Sequence, residues 1–179
     1  MKPMKQAYKR LQRWLRASEG SSTIEFVLWF PLFMTIFLTS FELSFYGMRS
    51  VMLERALDLN IRGLRLGNGR PTTLEEFKQN ICDETLLFYN CMDEISVDLR
   101  RIDQAGWTFP TGAIPCVDRA EEIKPLTEYS TGGGGDLMLV RVCVVKDPFF
   151  STTPFVMGLP RDPSGGVAIA AVSSYVNEP

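Results

Sequence analysis

The chain has 179 residues, with 19 basic and 21 acidic side chains, four cysteines and no histidine. This length allows one membrane segment and one small domain, and the missing histidine excludes most zinc sites and catalytic triads. Residues 1–20 hold six basic residues and one acidic residue, which leaves 13 basic and 20 acidic residues and a net charge of −7 on the rest. A basic N-terminal leader followed by an acidic remainder indicates that the N-terminus stays in the cytoplasm and that the remainder is exported. The acidic remainder argues against a nucleic-acid partner.

The basic leader meets a long apolar run at Gly20-Ser21-Ser22-Thr23-Ile24-Glu25-Phe26. Residues 26–41 carry no charge, so Glu25 is an isolated carboxylate at the start of an apolar segment. Such a charge is costly in a bilayer. We predict that the chain is cut between Gly20 and Ser21 and that Glu25 finds its partner only after the cut. The alternative is an interfacial carboxylate that reaches the lipid headgroups.

The apolar segment over residues 24–46 is long enough to cross a bilayer, since about 23 helical residues span roughly 35 Å against a hydrocarbon core of about 30 Å. A cleaved secretory signal fits less well, because its apolar region has about 7–15 residues and ends in a small-x-small site. Pro31 predicts a kink tolerated in a membrane helix, or a flexible point when the helix leaves the bilayer. Glu42, near the outer end, is either solvated there or a second functional acid.

The helical pattern continues beyond Glu42, because apolar residues recur every three or four positions as far as Leu64, with charges between them. The run Gly67-Asn68-Gly69-Arg70-Pro71 predicts the end of the helix. We therefore predict one helix of about 45 residues. Residues 21–46 would lie in the membrane and residues 47–66 would pack on a periplasmic domain.

The sequence pattern of residues 72–179 predicts a small α+β domain, here called the head. Thr73 opens a capping box and a helix that reaches about Tyr89. Alternating or continuous apolar runs predict three strands, over residues 94–102, 137–146 and 167–176. The predicted fold class is α+β, a long N-terminal helix packed on a small three-stranded antiparallel sheet.

The connection over residues 103–136 is predicted to be loop, and it ends in the glycine run 132–135. This run lacks the Lys-Ser/Thr of a phosphate-binding loop and precedes a strand, so we interpret it as a connection between strands. The aromatic residues near 107–109 and 149–157 are predicted to be core, with some available to contact other subunits.

All four cysteines follow the apolar segment: Cys82, Cys91, Cys116 and Cys143. Their spacing contains no CxxC, which disfavours a metal or redox motif and favours two disulfides in an oxidising periplasm. Three pairings are possible and the sequence does not decide among them; we favour Cys82–Cys91 with Cys116–Cys143. The acids that flank the first pair predict a solvated loop surface (Asp83, Glu84, Asp93 and Glu94). We expect that the protein is not an enzyme and that it binds neither a metal nor a cofactor.

Gly20, followed by Glu25-Phe26 and an apolar helix, is similar to the type IV prepilin signature in the short form used by tight-adherence (Tad or Flp) pili. The run over residues 24–33, with Pro31, resembles the start of TadE-like proteins, and Glu42 falls where that family often carries an acid. Residues 140–143 resemble its cysteine-bearing strand, and the ending Ser173-Ser174-Tyr175-Val176-Asn177-Glu178-Pro179 resembles its terminal strand. Phe26 stands where the major pilins tend to have tyrosine, which together with the length favours a minor pilin or pseudopilin.

The resemblance implies that an aspartyl prepilin peptidase cuts between Gly20 and Ser21. It also implies that Glu25, beside Phe26, pairs with the new amine of a neighbouring subunit and so sets the assembly register. The implied partners are the prepilin peptidase, other Tad pilins and pseudopilins, the inner-membrane assembly platform and the lipid bilayer. The implied function is assembly of Flp pili for surface attachment, by a single-pass protein of the bacterial inner membrane. The alternative is an uncleaved, signal-anchored periplasmic binding or adhesion module, and the TadE-type and TadF-type members are not told apart.

Overall fold

The computed structural model describes residues 22–66, 71, 73–110, 112–114, 116–121 and 127–178. The chain divides into two compact units, residues 1–38 and 39–179. Helix α1 (Ser22–Leu66) begins in the first unit and ends in the second, and its 45 residues match the predicted length. The basic leader, the predicted cut between Gly20 and Ser21 and the predicted stop at residues 67–70 lie outside the described residues.

In the first unit, α1 exposes its apolar side chains. Leu28 is 73% exposed and Phe33 is 63% exposed, values that a helix in the core of a soluble protein does not show. Phenylalanines four residues apart contact each other along the helix, with ring centroids 5.0 Å apart for Phe26 and Phe30. The helix is long and apolar enough to cross a membrane.

The second unit contains a three-stranded antiparallel sheet of β1 (Ile95–Ile102), β2 (Leu137–Lys146) and β3 (Val167–Val176). The strand order is β1-β2-β3, so the central strand is β2, whose continuous apolar run suits a strand covered on both faces. The predicted strand bounds are confirmed to within one residue. The register places Asp98 opposite Arg141, and Cys143 opposite Ala170.

One face of the sheet and the second half of α1 form the core. Residues at three- and four-residue spacing on α1 bury their side chains against alternate residues of β2: Leu53, Ala56, Leu57, Ile61 and Leu64 on the helix, and Met138, Val140, Val142 and Val144 on the strand. A helical stripe and a strand face have matching apolar surfaces here, which is the physical basis of the packing. The predicted fold class is confirmed.

Three shorter helices complete the described fold: α2 (Leu74–Asp83), α3 (Cys91–Glu94) and α4 (Pro154–Met157). The hydroxyl of Thr73 caps α2 by accepting the N–H of Glu76 at 3.2 Å, as the capping box predicted. The predicted extension of α2 to Tyr89 is wrong. The backbone N–H of Thr85 donates to the carbonyl of Cys82, three residues back, which closes a turn and ends the regular helical bonding.

Candidate processing and assembly site

Glu25 lies in the first turn of α1, with its side chain exposed, and Phe26 beside it is 61% exposed. A carboxylate in the first turn of a helix interacts favourably with the partial positive charge of the helix N-terminus. The helix thus presents an acid and an aromatic ring outward, close to the predicted cut. Both residues are accessible to a second protein, which the predicted registry role requires.

Pro31 lies inside α1, and the helix continues through it. Proline has no N–H, so the carbonyl one turn earlier loses its usual helical donor. Downstream, the hydroxyl of Thr35 donates to the carbonyl of Pro31 at 2.8 Å. This bond adds a second donor to the Pro31 carbonyl and does not replace the donor missing at the Val27 carbonyl.

Glu42, the second acid of the apolar run, is buried in the second unit and only 4% exposed. Its two carboxylate oxygens accept the backbone N–H groups of Phe149 and Phe150, at 3.2 and 3.0 Å. These partners lie more than a hundred residues further along the chain. Glu42 therefore fastens the loop after β2 to the helix, and it is not the solvated interfacial acid that was one of the two expectations.

Arg49, two turns after Glu42, is 6% exposed and supports the same loop. Its guanidinium donates to the carbonyl of Asp147 at 3.2 Å and lies over the rings of Phe45 and Phe149, 4.8 and 5.4 Å from their centroids. Burial lowers the pKa of Arg49, and the negative charges of Glu42 and Asp147 act in the opposite direction. Sequence reasoning missed this role, since Arg49 follows the helical charge pattern of solvent-facing residues.

A second cluster of charges joins the loops at the same end of the sheet. Arg119 contacts Asp147 at 2.6 Å, Asp162 at 3.4 Å and Glu94 at 3.5 Å. The buried ammonium of Lys146 pairs with Glu94 and also donates to the carbonyl of Tyr89. The prediction of a solvated surface is wrong for Glu94, because its side chain is only 13% exposed and pairs with two cations on distant segments.

Asp98 in β1 is fully buried and bonds two arginines. It accepts from Arg141 of β2 at 2.5 and 2.9 Å and from Arg100 at 2.6 and 3.0 Å. Burial acts to raise the pKa of Asp98, but the hydrogen bonds from Arg100 and Arg141 outweigh it and hold this pKa below its usual range. The arginine that interrupts the apolar run of β2 thus has its partner directly across the sheet.

The two disulfides are Cys82–Cys91 and Cys116–Cys143, the pairing favoured from the sequence, with Cα atoms 5.7 and 5.2 Å apart. The first links the end of α2 to the start of α3. The second ties the loop after β1 to the central strand, on the sheet face opposite α1. Cross-links of this kind supplement a small core.

The C-terminal residues Asn177 and Glu178 fasten the far end of the head. The Asn177 amide donates to the carbonyls of Thr131 and Gly133, at 2.7 and 3.1 Å. The Glu178 carboxylate pairs with Arg65, in the last turn of α1, at 3.1 Å. The glycine run is thus a bonded turn, in which Gly132 and Gly135 take the left-handed conformation that suits glycine.

Within the described ranges, no three His, Cys, Asp or Glu side chains come together in a way that could hold a metal ion. Glu94, Asp147 and Asp162 do come together, but around the guanidinium of Arg119. The charged clusters of the head therefore hold loops in place. The first part of α1 presents an exposed apolar surface, with Glu25 near its start.

Comparison with known proteins adds one family. The model of the TadE-like protein family matches residues 20–58, which runs from the predicted cleavage site through the exposed apolar part of α1 to the middle of its packed half. No curated protein and no solved structure matches the chain significantly. The resemblance predicted from Gly20, Glu25 and Pro31 is confirmed over the matched segment, in which the chain is similar to TadE-like proteins.

Proposed function

We propose that this chain is a pseudopilin that prepilin peptidase processes and that takes part in assembly of tight-adherence (Flp) pili for surface attachment. In this proposal the chain is a substrate of catalysis and not an enzyme. Its partners are the peptidase, other Tad pilins and pseudopilins, and the inner-membrane assembly platform. The leader remains in the cytoplasm and the head lies in the periplasm of a bacterial inner membrane.

The observation that carries the proposal is the family match at residues 20–58, which begins at the glycine of the predicted cut. The exposed apolar helix supports membrane insertion, and the six basic residues before Gly20 favour a cytoplasmic leader. Two disulfides are consistent with an oxidising periplasm around the head.

Cleavage gives Glu25 a role that the uncut chain lacks. The cut frees an amine on Ser21, four residues before Glu25, a separation of about 6 Å along the axis if the chain is helical from Ser21 onward. In a medium of low dielectric each of these charges alone is costly, and pairing with the neighbouring subunit offsets part of the cost. Only one axial offset between subunits brings amine and carboxylate together, so the pair sets the register of assembly.

The test is the N-terminal mass of the protein purified from membranes of a strain that carries its own pilus genes. A chain that begins at Ser21 supports processing by prepilin peptidase. A strain without the peptidase is the control, and it should accumulate the full-length chain. An intact N-terminus in the presence of active peptidase would overturn the proposal and favour an uncleaved signal anchor.

A further inference from the structure

The loop between β2 and β3 contains a long uncharged stretch. Residues 148–160, here called the aromatic loop, carry no acid or base, and Asp147 and Arg161 flank them. The loop includes three phenylalanines and lies beside the part of α1 that follows the uncharged run 26–41. We propose that the aromatic loop inserts into the outer-leaflet interface of the membrane that α1 crosses, as a second contact between head and lipid.

Several contacts hold the loop at the level of residues 41–46 of α1. The Glu42 carboxylate accepts the N–H groups of Phe149 and Phe150. The Phe149 ring packs edge-on against Phe41 and Phe45, with centroids 5.9 and 4.6 Å apart. The position of the loop along the axis of α1 is therefore set by Glu42, Phe41 and Phe45, which lie in the last part of the predicted membrane segment.

The second half of the loop lies at the same level. The Phe155 ring packs against Tyr46 at 5.8 Å, and Val156 is 1% exposed. Met157, the next residue, is 63% exposed, and Phe149 is 54% exposed. The loop thus buries one set of apolar side chains against the head and presents another set outward.

Lipid is the occupant that this geometry favours, because the exposed Phe149 ring packs against Phe41, which is itself 45% exposed and lies in the last part of the predicted membrane segment. Phenylalanine and methionine have no charged or hydrogen-bonding group to keep in water, so their exposed side chains are stabilised at the boundary between headgroups and acyl chains. Arg161, at the end of the loop, donates to the carbonyls of Ser151 and Val156 and remains exposed, so its cation can also reach a lipid phosphate. The opposite end of the head, where Arg65 pairs with Glu178, has no part in this contact.

The experiment uses the full chain, one copy per lipid nanodisc of phosphatidylethanolamine and phosphatidylglycerol. Because all four native cysteines are in disulfides, single cysteines at chosen sites accept a nitroxide label selectively. Met157→Cys and Phe149→Cys report on the loop, and Phe33→Cys reports on the membrane helix. Phe109→Cys is the matched control, since Phe109 is 52% exposed and packs beside Trp107, whose turn follows the far end of β1.

The readout is the ratio of the label's accessibility to oxygen and to a water-soluble nickel complex. We expect this ratio to be severalfold higher at positions 157 and 149 than at 109, and to approach the ratio at 33. Equal ratios at 157 and 109, with a hydrocarbon reading at 33, would overturn the inference and leave the proposed function intact. A water-like reading at 33 would overturn the inference together with the membrane part of the proposed function.

One further result assigns the surface to a different partner. If the label at 157 is accessible to water in single-copy nanodiscs but becomes protected in assembled pili, the loop contacts a neighbouring subunit, and the lipid assignment is wrong. The inference requires that α1 crosses a bilayer, but it requires neither cleavage at Gly20 nor pilus assembly.

Discussion

The carboxylate of Glu42 accepts the backbone N–H of Phe150 at 3.0 Å, across 108 residues of chain. A second bond, to Phe149, uses the other oxygen. An acid within an apolar helix therefore completes the backbone bonding of a loop that regular secondary structure does not satisfy. Glu42 thus belongs to the predicted membrane segment, residues 21–46, and also bonds to a loop of the head.

Replacing Glu42 should destabilise the head. Glu42→Leu leaves two backbone N–H groups without acceptors, and we expect a loss of about 2–4 kcal/mol in the free energy of unfolding. Glu42→Gln should cost less, about 1–2 kcal/mol, because a neutral oxygen is the weaker acceptor. Pulse proteolysis of the full chain in detergent across a urea series measures both. Glu54→Gln, on the exposed side of α1, is the control, and equal midpoints for all four proteins would contradict the role of Glu42.

Asp98 should make the head sensitive to acid. Its pKa is lowered in the folded state, so its contribution to stability is fully present above the unfolded pKa, near 3.9, and is lost as pH falls through that value towards the folded pKa. Asp98→Asn also leaves the buried Arg141 without its anion, which we expect to cost about 3–5 kcal/mol at pH 7.

The measurement is the urea midpoint at pH 7 and at pH 3. The difference between the two midpoints should be smaller in Asp98→Asn than in the parent, whereas Asp58→Asn on the exposed face of α1 should keep the parent's difference. An unchanged pH dependence in Asp98→Asn would show that other carboxylates cause the acid sensitivity.

The two disulfides should contribute unequally. Cys116–Cys143 closes a separation of 27 residues and Cys82–Cys91 one of 9. The chain-entropy estimate is about 3.5 kcal/mol for the longer loop and about 2.5 kcal/mol for the shorter one. Paired Cys→Ser variants compared by urea unfolding test the order, and peptide mapping without reduction tests the pairing. A Cys82–Cys116 peptide in the native protein would contradict the structure.

Processing should depend on side-chain volume at position 20. Gly20→Ala should reduce cleavage much less than Gly20→Phe, because glycine leaves the approach to the scissile bond open. Immunoblots of both variants in the native strain, scored as the ratio of cut to uncut chain, measure the effect. Wild-type cleavage of Gly20→Phe would argue against the predicted site.

Glu25→Leu should be cleaved normally and should fail in assembly. The substitution removes the carboxylate that the amine of Ser21 would meet, and it leaves the apolar helix suited to the membrane. Piliation by electron microscopy and cleavage by mass are measured on the same cells. Normal piliation in this variant would remove the registry argument, and Glu25→Asp separates the need for charge from the need for reach.

The helices, the strands and their order could be predicted from residue patterns within single segments. Local structure was predictable from the uncharged run 26–41, from the apolar stripe that ends at Leu64 and from the apolar strands around Val142 and Ile169. Side chains on one face of a helix or strand recur at a fixed spacing, so the apolar pattern identifies the element. The order of elements and the fold class were predictable for the same reason, whereas the TadE-like segment was predicted from a resemblance carried by Gly20, Glu25 and Pro31.

Only the tertiary structure decided what the charged and loop residues do. Glu42, Arg49 and Glu94 resemble surface residues in sequence, yet distant parts of the chain supply their partners. Glu42 and Arg49 are buried, and the Glu94 side chain is only 13% exposed. The end of α2 at Asp83 likewise depends on a turn that periodicity does not encode. A buried charge is stable only when its partners are in place, and those partners are chosen by the path of the whole chain rather than by near neighbours in sequence.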